Sequence, residues 1–298
     1  MALIISTIYI FSSLIFCFNF DTTWGKCTLL NNGNSISDSE LIDIIYNEIN
    51  ALNDLYGIIP KKQFSITITN DNSLRIMSNH WEWSLGITYT KPDRIIIKDP
   101  ALSKISKTKF IKVIKHELNH LMLNRYKFYY TIPRWFKEGL AMKYADEISL
   151  NHKISIAKNL YNKNLFDIDK YKNFNHFNRQ EFNFAYSLSG VYILVLEKLY
   201  GNNITQFIIN DLYNGKNFEI AFYNSTGKSI NEFKIISYDA IKSHFFWYKL
   251  IGLPKNIFSL MPLLLVLGFY IKSKRNKKIR EQWELEEKIE DLENSINK

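Results

Sequence analysis

The stretch that most constrains this chain is His116-Glu117-Leu118-Asn119-His120. On an α-helix, residues four apart lie on one face, one turn above the other. His116 and His120 can therefore aim two imidazoles at one metal ion. Glu117, beside them, can reach a water at that ion. Two neutral histidines with an adjacent carboxylate base form the donor set of a zinc site that activates water. The pattern requires a helix here, and the surrounding residues predict one from about Lys107 to Asn124.

Such a site needs a third protein ligand and keeps a fourth position open. Glu138 is the candidate. It falls in a second predicted helix, Pro133 to Tyr144, where proline suits the first turn. Its helical neighbours Trp135, Ala141, Met142 and Ala145 are apolar, so Glu138 lies on the face that should be buried. A buried unpaired carboxylate is costly, and a metal would remove that cost. Gly139 and Ala141 are small, which would let the two helices approach closely enough to share one ion. The expected cofactor is therefore Zn2+, held by His116, His120 and Glu138.

His116-Glu117-x-x-His120, followed by Pro133-x-Trp135-Phe136-x-Glu138-Gly139-x-Ala141, resembles the gluzincin metallopeptidases, in particular the peptidase MA-like family. Weaker likenesses flank it in order: Trp83-Ser84-Leu85-Gly86-Ile87 and Arg94-Ile95-Ile96-Ile97 before the motif, and Ala185-Tyr186-Ser187-Leu188-Ser189 and Leu196-Glu197-Lys198-Leu199-Tyr200-Gly201 after it. The likeness covers roughly Asp38 to Phe246. The His120–Glu138 spacing is slightly shorter than in several better-known gluzincins. The resemblance implies a zinc-dependent peptidase with a short mixed sheet and a helical second half. It also implies a catalytic role for Tyr186 as the donor that stabilises the oxyanion; His176, in the stretch without clear period, is the alternative donor. In that chemistry zinc polarises the scissile carbonyl and lowers the pKa of a water toward ~7. Glu117 takes the water's proton and delivers it to the leaving amine. His80, His152 and His244 are expected to be ordinary surface or packed histidines.

The rest of the chain predicts an α+β, zincin-like domain over residues 38–246. Asp38 to Tyr56 carries Leu41, Ile44, Ile45, Ile49 and Leu52 on one helical face. Phe64 to Thr69 alternates as a strand, and Ile87–Thr90 and Arg94–Lys98 read as two more around a turn at Lys91-Pro92-Asp93. Together they make a small N-terminal sheet ahead of the active-site helix. The edge strand near Gly86 to Thr90 could take an extended peptide by strand addition. Ser149 to Arg179 shows no clear period. Helices are expected at 184–200, 204–213, 218–223 and 229–246.

Both ends point to a membrane. Residues 1–24 begin with the apolar run Ala2 to Phe20 and suit a signal peptide or a signal anchor. Residues 250–271 form a 22-residue apolar run broken mainly by Lys255, Asn256 and two prolines, and about 20 residues span a bilayer. Lys272 to Arg280 then carries six basic residues in nine, which by the positive-inside rule puts residues 272–298 in the cytoplasm and the domain outside it. Leu285, Ile289, Leu292 and Ile296 keep a short coiled-coil spacing, a site for weak self-association or a partner contact. Of the net charge of +9, residues 1–271 carry about +8, spread rather than blocked, and nothing resembles a nucleic-acid module. Two cysteines, Cys17 and Cys27, exclude a disulfide framework and a cysteine-rich metal site. The expected partners are a peptide or protein substrate and the lipid bilayer. The competing reading is a catalytically degenerate relative that binds a peptide or partner without cleaving it.

Overall fold

Alternation builds the centre of the sheet. In Phe64–Thr69, the residues Phe64, Ile66 and Ile68 are buried between more exposed Ser65 and Thr67. The computed structural model describes residues 17–57, 59–70, 84–167, 170, 178–251 and 261–296. Five strands, β1 (Cys17–Thr22), β2 (Gly25–Asn31), β3 (Phe64–Thr69), β4 (Gly86–Thr90) and β5 (Asp93–Lys98), pair in the order β1-β2-β3-β5-β4. β2, β3 and β5 run parallel, and the two outer strands are antiparallel to their neighbours. The sheet is thus mixed, and β4 is an edge among the described strands.

Nine helices of this unit can be followed among the described residues: α1 (Asp38–Tyr56), α2 (Pro100–Ser103), α3 (Lys107–Asn124), α4 (Arg134–Tyr144), α5 (Leu150–Lys158), α6 (Arg179–Tyr200), α7 (Ile204–Tyr213), α8 (Phe218–Thr226) and α9 (Ile230–Phe245). α1 starts where the Ser37 side chain accepts from the Glu40 amide, and it buries Leu41, Ile45, Ile49 and Leu52. α3 starts in the same way at Ser106. It is buried on several sides because β4, β5, α1 and α4 all pack on it. The architecture is α+β, with a small sheet followed by a mostly helical remainder.

The Trp135-Phe136 pair packs α4 into the helical half. Trp135 lies 5.7 Å from the Tyr192 ring and 5.8 Å from that of Phe233, and Phe136 lies 4.9 Å from that of Phe218. Aromatic contacts of this kind add to the area that the rings bury. Gly139 lets α4 come closest to α6 rather than to α3. A Cβ at residue 139 would overlap the Ser189 carbonyl oxygen. The small residue therefore sets the distance between the helix of Glu138 and the helix of Tyr186, a correction to the expectation that it joins α4 to the motif helix.

Arg125 pins the end of α3 to the sheet. Its guanidinium donates to the carbonyls of Trp24 (2.8 Å) and Lys62 (3.0 Å), and lies over the rings of Trp24 and Phe64. Its Nε sits 3.4 Å from Asp93 Oδ2, with both side chains 1% exposed. Removing one partner of a buried pair leaves the other charge uncompensated. Arg125→Met should cost about 3 kcal/mol, the low end of that effect because Lys62 still reaches Asp93 at 2.6 Å. Denaturant titration of the full chain checks this, and a loss below ~1 kcal/mol would overturn it.

The structure bears on three expectations about the ends. The folded sheet already begins at Cys17, and Trp24 is fully buried. The segment read as 1–24 is thus divided, with 1–16 outside the described residues. β1 escapes sequence reading because it sits in the apolar leader-like run, and β2, GKCTLLN, follows it without strict alternation. Second, no helix among the described residues is long and apolar enough to cross a membrane. Residues 252–260 of the expected span lie outside the described residues. The helix Met261–Ile296 has eleven residues before Lys272, a rise of ~16 Å against a hydrocarbon core of ~30 Å. Third, the Leu285–Ile296 seam lies outside the described side chains. The chain divides into units at 1–248 and 249–298. Within the first, the unplaced stretch after Ser149 supplies α5 and a short turn of helix at Lys163–Phe166.

Candidate active site

α3 and α4 together place the three expected ligands. Because His116 and His120 are one turn apart on α3, their rings meet edge to face with centroids 4.7 Å apart. Glu138 comes from α4, which packs on α3. His116 Nε2 and His120 Nε2 are 3.0 Å apart, and Glu138 Oε2 lies 3.6 and 3.4 Å from them. Bonds of about 2.0–2.2 Å at tetrahedral angles would put zinc ligands roughly 3.3–3.5 Å apart. The triangle matches that spacing within a few tenths of an ångström. Its donor set, two imidazoles and a carboxylate, suits zinc.

The electrostatics of the three groups fit the same ion. Burial alone would raise the Glu138 carboxyl, but the His120 charge, hydrogen bonds with both histidines and Arg134 hold it well below the usual range. Burial alone would lower His116, yet its hydrogen bonds with Glu138 and Glu147 and the charge of Glu117 raise it to about 10. The carboxylates thus hold a positive charge at the position where a cation would bind.

Glu117 lies beside the triangle, 6% exposed. The Thr88 hydroxyl donates to its Oε2 at 2.6 Å. Gly86, two residues earlier on the same face of β4, leaves room for it. A Cβ there would come within 2.8 Å of Glu117 Cγ and Oε1. The edge strand therefore holds the carboxylate by one hydroxyl and one missing side chain. Strand alternation puts residues 86 and 88 on one face. That they face Glu117 follows only from the packing of α3 on β4.

Tyr186, on α6, reaches the same place. Its hydroxyl lies 2.8 Å from His116 Nε2, and its ring stacks on the imidazole with centroids 5.7 Å apart. Burial, then the charges of Glu138, Glu147 and Glu117, push its phenol well above its ordinary value, so it stays a donor. An ion on His116 Nε2 would take that lone pair and free the hydroxyl to face the cleft. His176, the alternative donor, and His80 lie outside the described residues. His244 Nδ1 sits 2.7 Å from Lys198 Nζ at the surface. His152 lines the cleft while its Nδ1 accepts from the Ser149 amide at the start of α5.

Glu147 is a residue that sequence reasoning missed. Its Oε2 is 3.0 Å from His116 Nδ1, and its Oε1 is 2.6 Å from Lys109 Nζ. A carboxylate on the far nitrogen of a metal-binding histidine fixes its tautomer and orientation. Glu147 arrives there because the chain reverses after α4: Asp146 is left-handed (φ 50°) and the Glu147 amide returns to Met142 O. No local motif announces that turn. These groups line one open cleft of ≈ 1060 Å³.

A mixed sheet, an α3 helix bearing His-Glu-x-x-His and a following helix bearing the third acidic group define a gluzincin-like zinc metallopeptidase fold. The family model of the Peptidase MA superfamily matches residues 45–236, and the chain belongs to that superfamily. Among solved structures it is similar to an M1 zinc metallopeptidase, E323A mutant, from Deinococcus radiodurans, with 9% identity and a TM-score of 0.36. That match covers 76% of this chain, which spans about half (51%) of the other. No curated protein matches the chain.

Proposed function

We propose that this chain is a zinc-dependent peptidase whose ion is held by His116, His120 and Glu138, and that it is anchored in a membrane. The observation that carries the reading is the ligand triangle with Glu117 beside it in one open cleft. A zinc ion there would supply Lewis acidity, polarising the scissile carbonyl and lowering the pKa of a water. Glu117, steadied by Thr88, takes the proton of that water and returns it to the leaving amine. The Tyr186 hydroxyl donates to the developing oxyanion. The outer edge of β4 offers backbone groups to an extended peptide, which orients it along the cleft.

The test uses the purified full chain. It should hold near one zinc per chain and cleave a mixture of casein-derived peptides. A chelator should abolish cleavage and added zinc restore it. Stoichiometric zinc with every peptide left intact would favour the partner-binding alternative instead.

Anchoring is supported by the 250–271 run and the basic residues after it. In the helix Met261–Ile296, the side chains of Leu263, Leu265 and Phe269 are 68%, 70% and 76% exposed. Lipid would cover such a surface. Reporter fusions after Arg280 should report the cytoplasm, and fusions near Asn151 the opposite side. The reverse pattern would overturn the topology.

A further inference from the structure

The cleft holds one cation to which the chemistry above gives no task. Its three carboxylates are engaged: Glu117 by Thr88, Glu138 by the two histidines, and Glu147 by His116 and Lys109. Two of its three cations are engaged as well. Lys109 Nζ lies 2.6 Å from Glu147 Oε1, and Arg134 Nε lies 3.4 Å from Glu138 Oε1. Lys137 differs. It is half-buried on the wall of the cleft and has no ion-pair partner among the described residues. Its ammonium rests over the Tyr129 ring, 5.6 Å from the centroid.

Glu138, next in sequence, acts on the ammonium through its charge but forms no ion pair with it. Adjacent residues on a helix do not face each other. The Glu138 oxygens are already turned to the histidines and to Arg134. A divalent ion in the triangle would add positive charge to a cleft whose three carboxylates and three Lys and Arg cations otherwise balance. That favours an anionic group on whatever enters. A half-buried ammonium that lies over a ring face and forms no ion pair among the described residues gains most from a carboxylate, through a charge-assisted hydrogen bond.

We infer that Lys137 binds a carboxylate of the peptide substrate, so that the site selects peptides with an acidic group close to the scissile bond. The inference rests on the peptidase reading above. The group is either an Asp or Glu side chain or a free C-terminal carboxylate, and both present the same chemistry to the lysine. Lys137 is thus a specificity-determining residue, distinct from the groups that handle the proton and the ion.

The experiment incubates the zinc-loaded full chain with a proteome-derived peptide library and maps the cleaved bonds by mass spectrometry. Half of the library carries amidated C termini. Wild type should enrich Asp or Glu at one fixed position near the cleaved bond, or else cut only near free C termini. The preference should be on the order of tenfold, the worth of one hydrogen bond to a charged group. Lys137→Met should remove it, and Lys137→Glu should turn it toward Lys and Arg. Two charge variants at a half-exposed position guard against a fold effect, and circular dichroism verifies each. Cleavage with no acidic or terminal preference would overturn the inference while leaving the peptidase reading standing. A preference that survives both variants would overturn it as well. No cleavage at all by the zinc-loaded wild type would sink the peptidase reading, and the inference with it.

Discussion

Glu117→Gln should lower peptide cleavage by ~10²–10⁴-fold or more, while zinc content and stability stay close to wild type. The substitution is nearly isosteric and removes only the basic oxygen. Glu117 is next to the ligands in sequence but outside the ligand triangle. The Thr88 hydroxyl can still donate to the glutamine carbonyl oxygen, so the side chain should keep its place against β4. Loss of proton transfer should therefore appear in kcat and in kcat/KM alike, with little change in substrate affinity. The measurement is zinc content by elemental analysis beside cleavage rates on one verified peptide. Wild-type turnover in the variant would exclude Glu117 as the base.

The loss of metal should lessen in steps along the set His120, Glu138 and Glu147. His120→Ala deletes a ligand, so zinc should be lost on dialysis. Glu138→Gln keeps the shape but removes the ligand charge, and zinc should bind weakly. Glu147→Gln removes only the carboxylate behind His116, which typically costs 10–100-fold in metal affinity. Thermal unfolding gives a second reading of the same series. A ligand at a thousand times its Kd stabilises by ~4 kcal/mol, so zinc should raise the wild-type Tm clearly and the His120→Ala Tm hardly at all. Competition with a chromogenic chelator measures the affinities. Equal zinc affinity in wild type and Glu147→Gln would remove Glu147 from the site, and stoichiometric zinc in His120→Ala would remove the triangle itself.

The differences among these variants mirror how the site is encoded. His116, Glu117 and His120 are legible because helical spacing alone puts them on neighbouring positions of one element. Glu138 is legible because its apolar neighbours bury it, and burial demands a partner. Tyr186 came only from the family likeness, and the geometry brings its hydroxyl to 2.8 Å from His116. Thr88 and Glu147 were not legible. Each meets the site through a contact between elements far apart in sequence, and neither carries a local pattern.

The same division holds for the fold. The periodicity of Asp38–Tyr56, the alternation of Phe64–Thr69 and the isoleucine run of β5 determined their elements by local physics, and α1 and β3 run from the first to the last residue expected. Pairing was another matter. Nothing local says that β2 inserts beside β3, or that β4 stays at the edge where α3 can press Glu117 against Gly86. Nor does any local signal say that Gly139 serves α6 rather than α3. Those choices are decided by which surfaces can be buried together, a property of the assembled chain. The sequence by itself determined the candidate histidine ligands and the candidate base, because one turn of helix sets their geometry. Only the tertiary structure decided what orients them and what cation is left facing the cleft, because those contacts exist only once the sheet and the helices are packed.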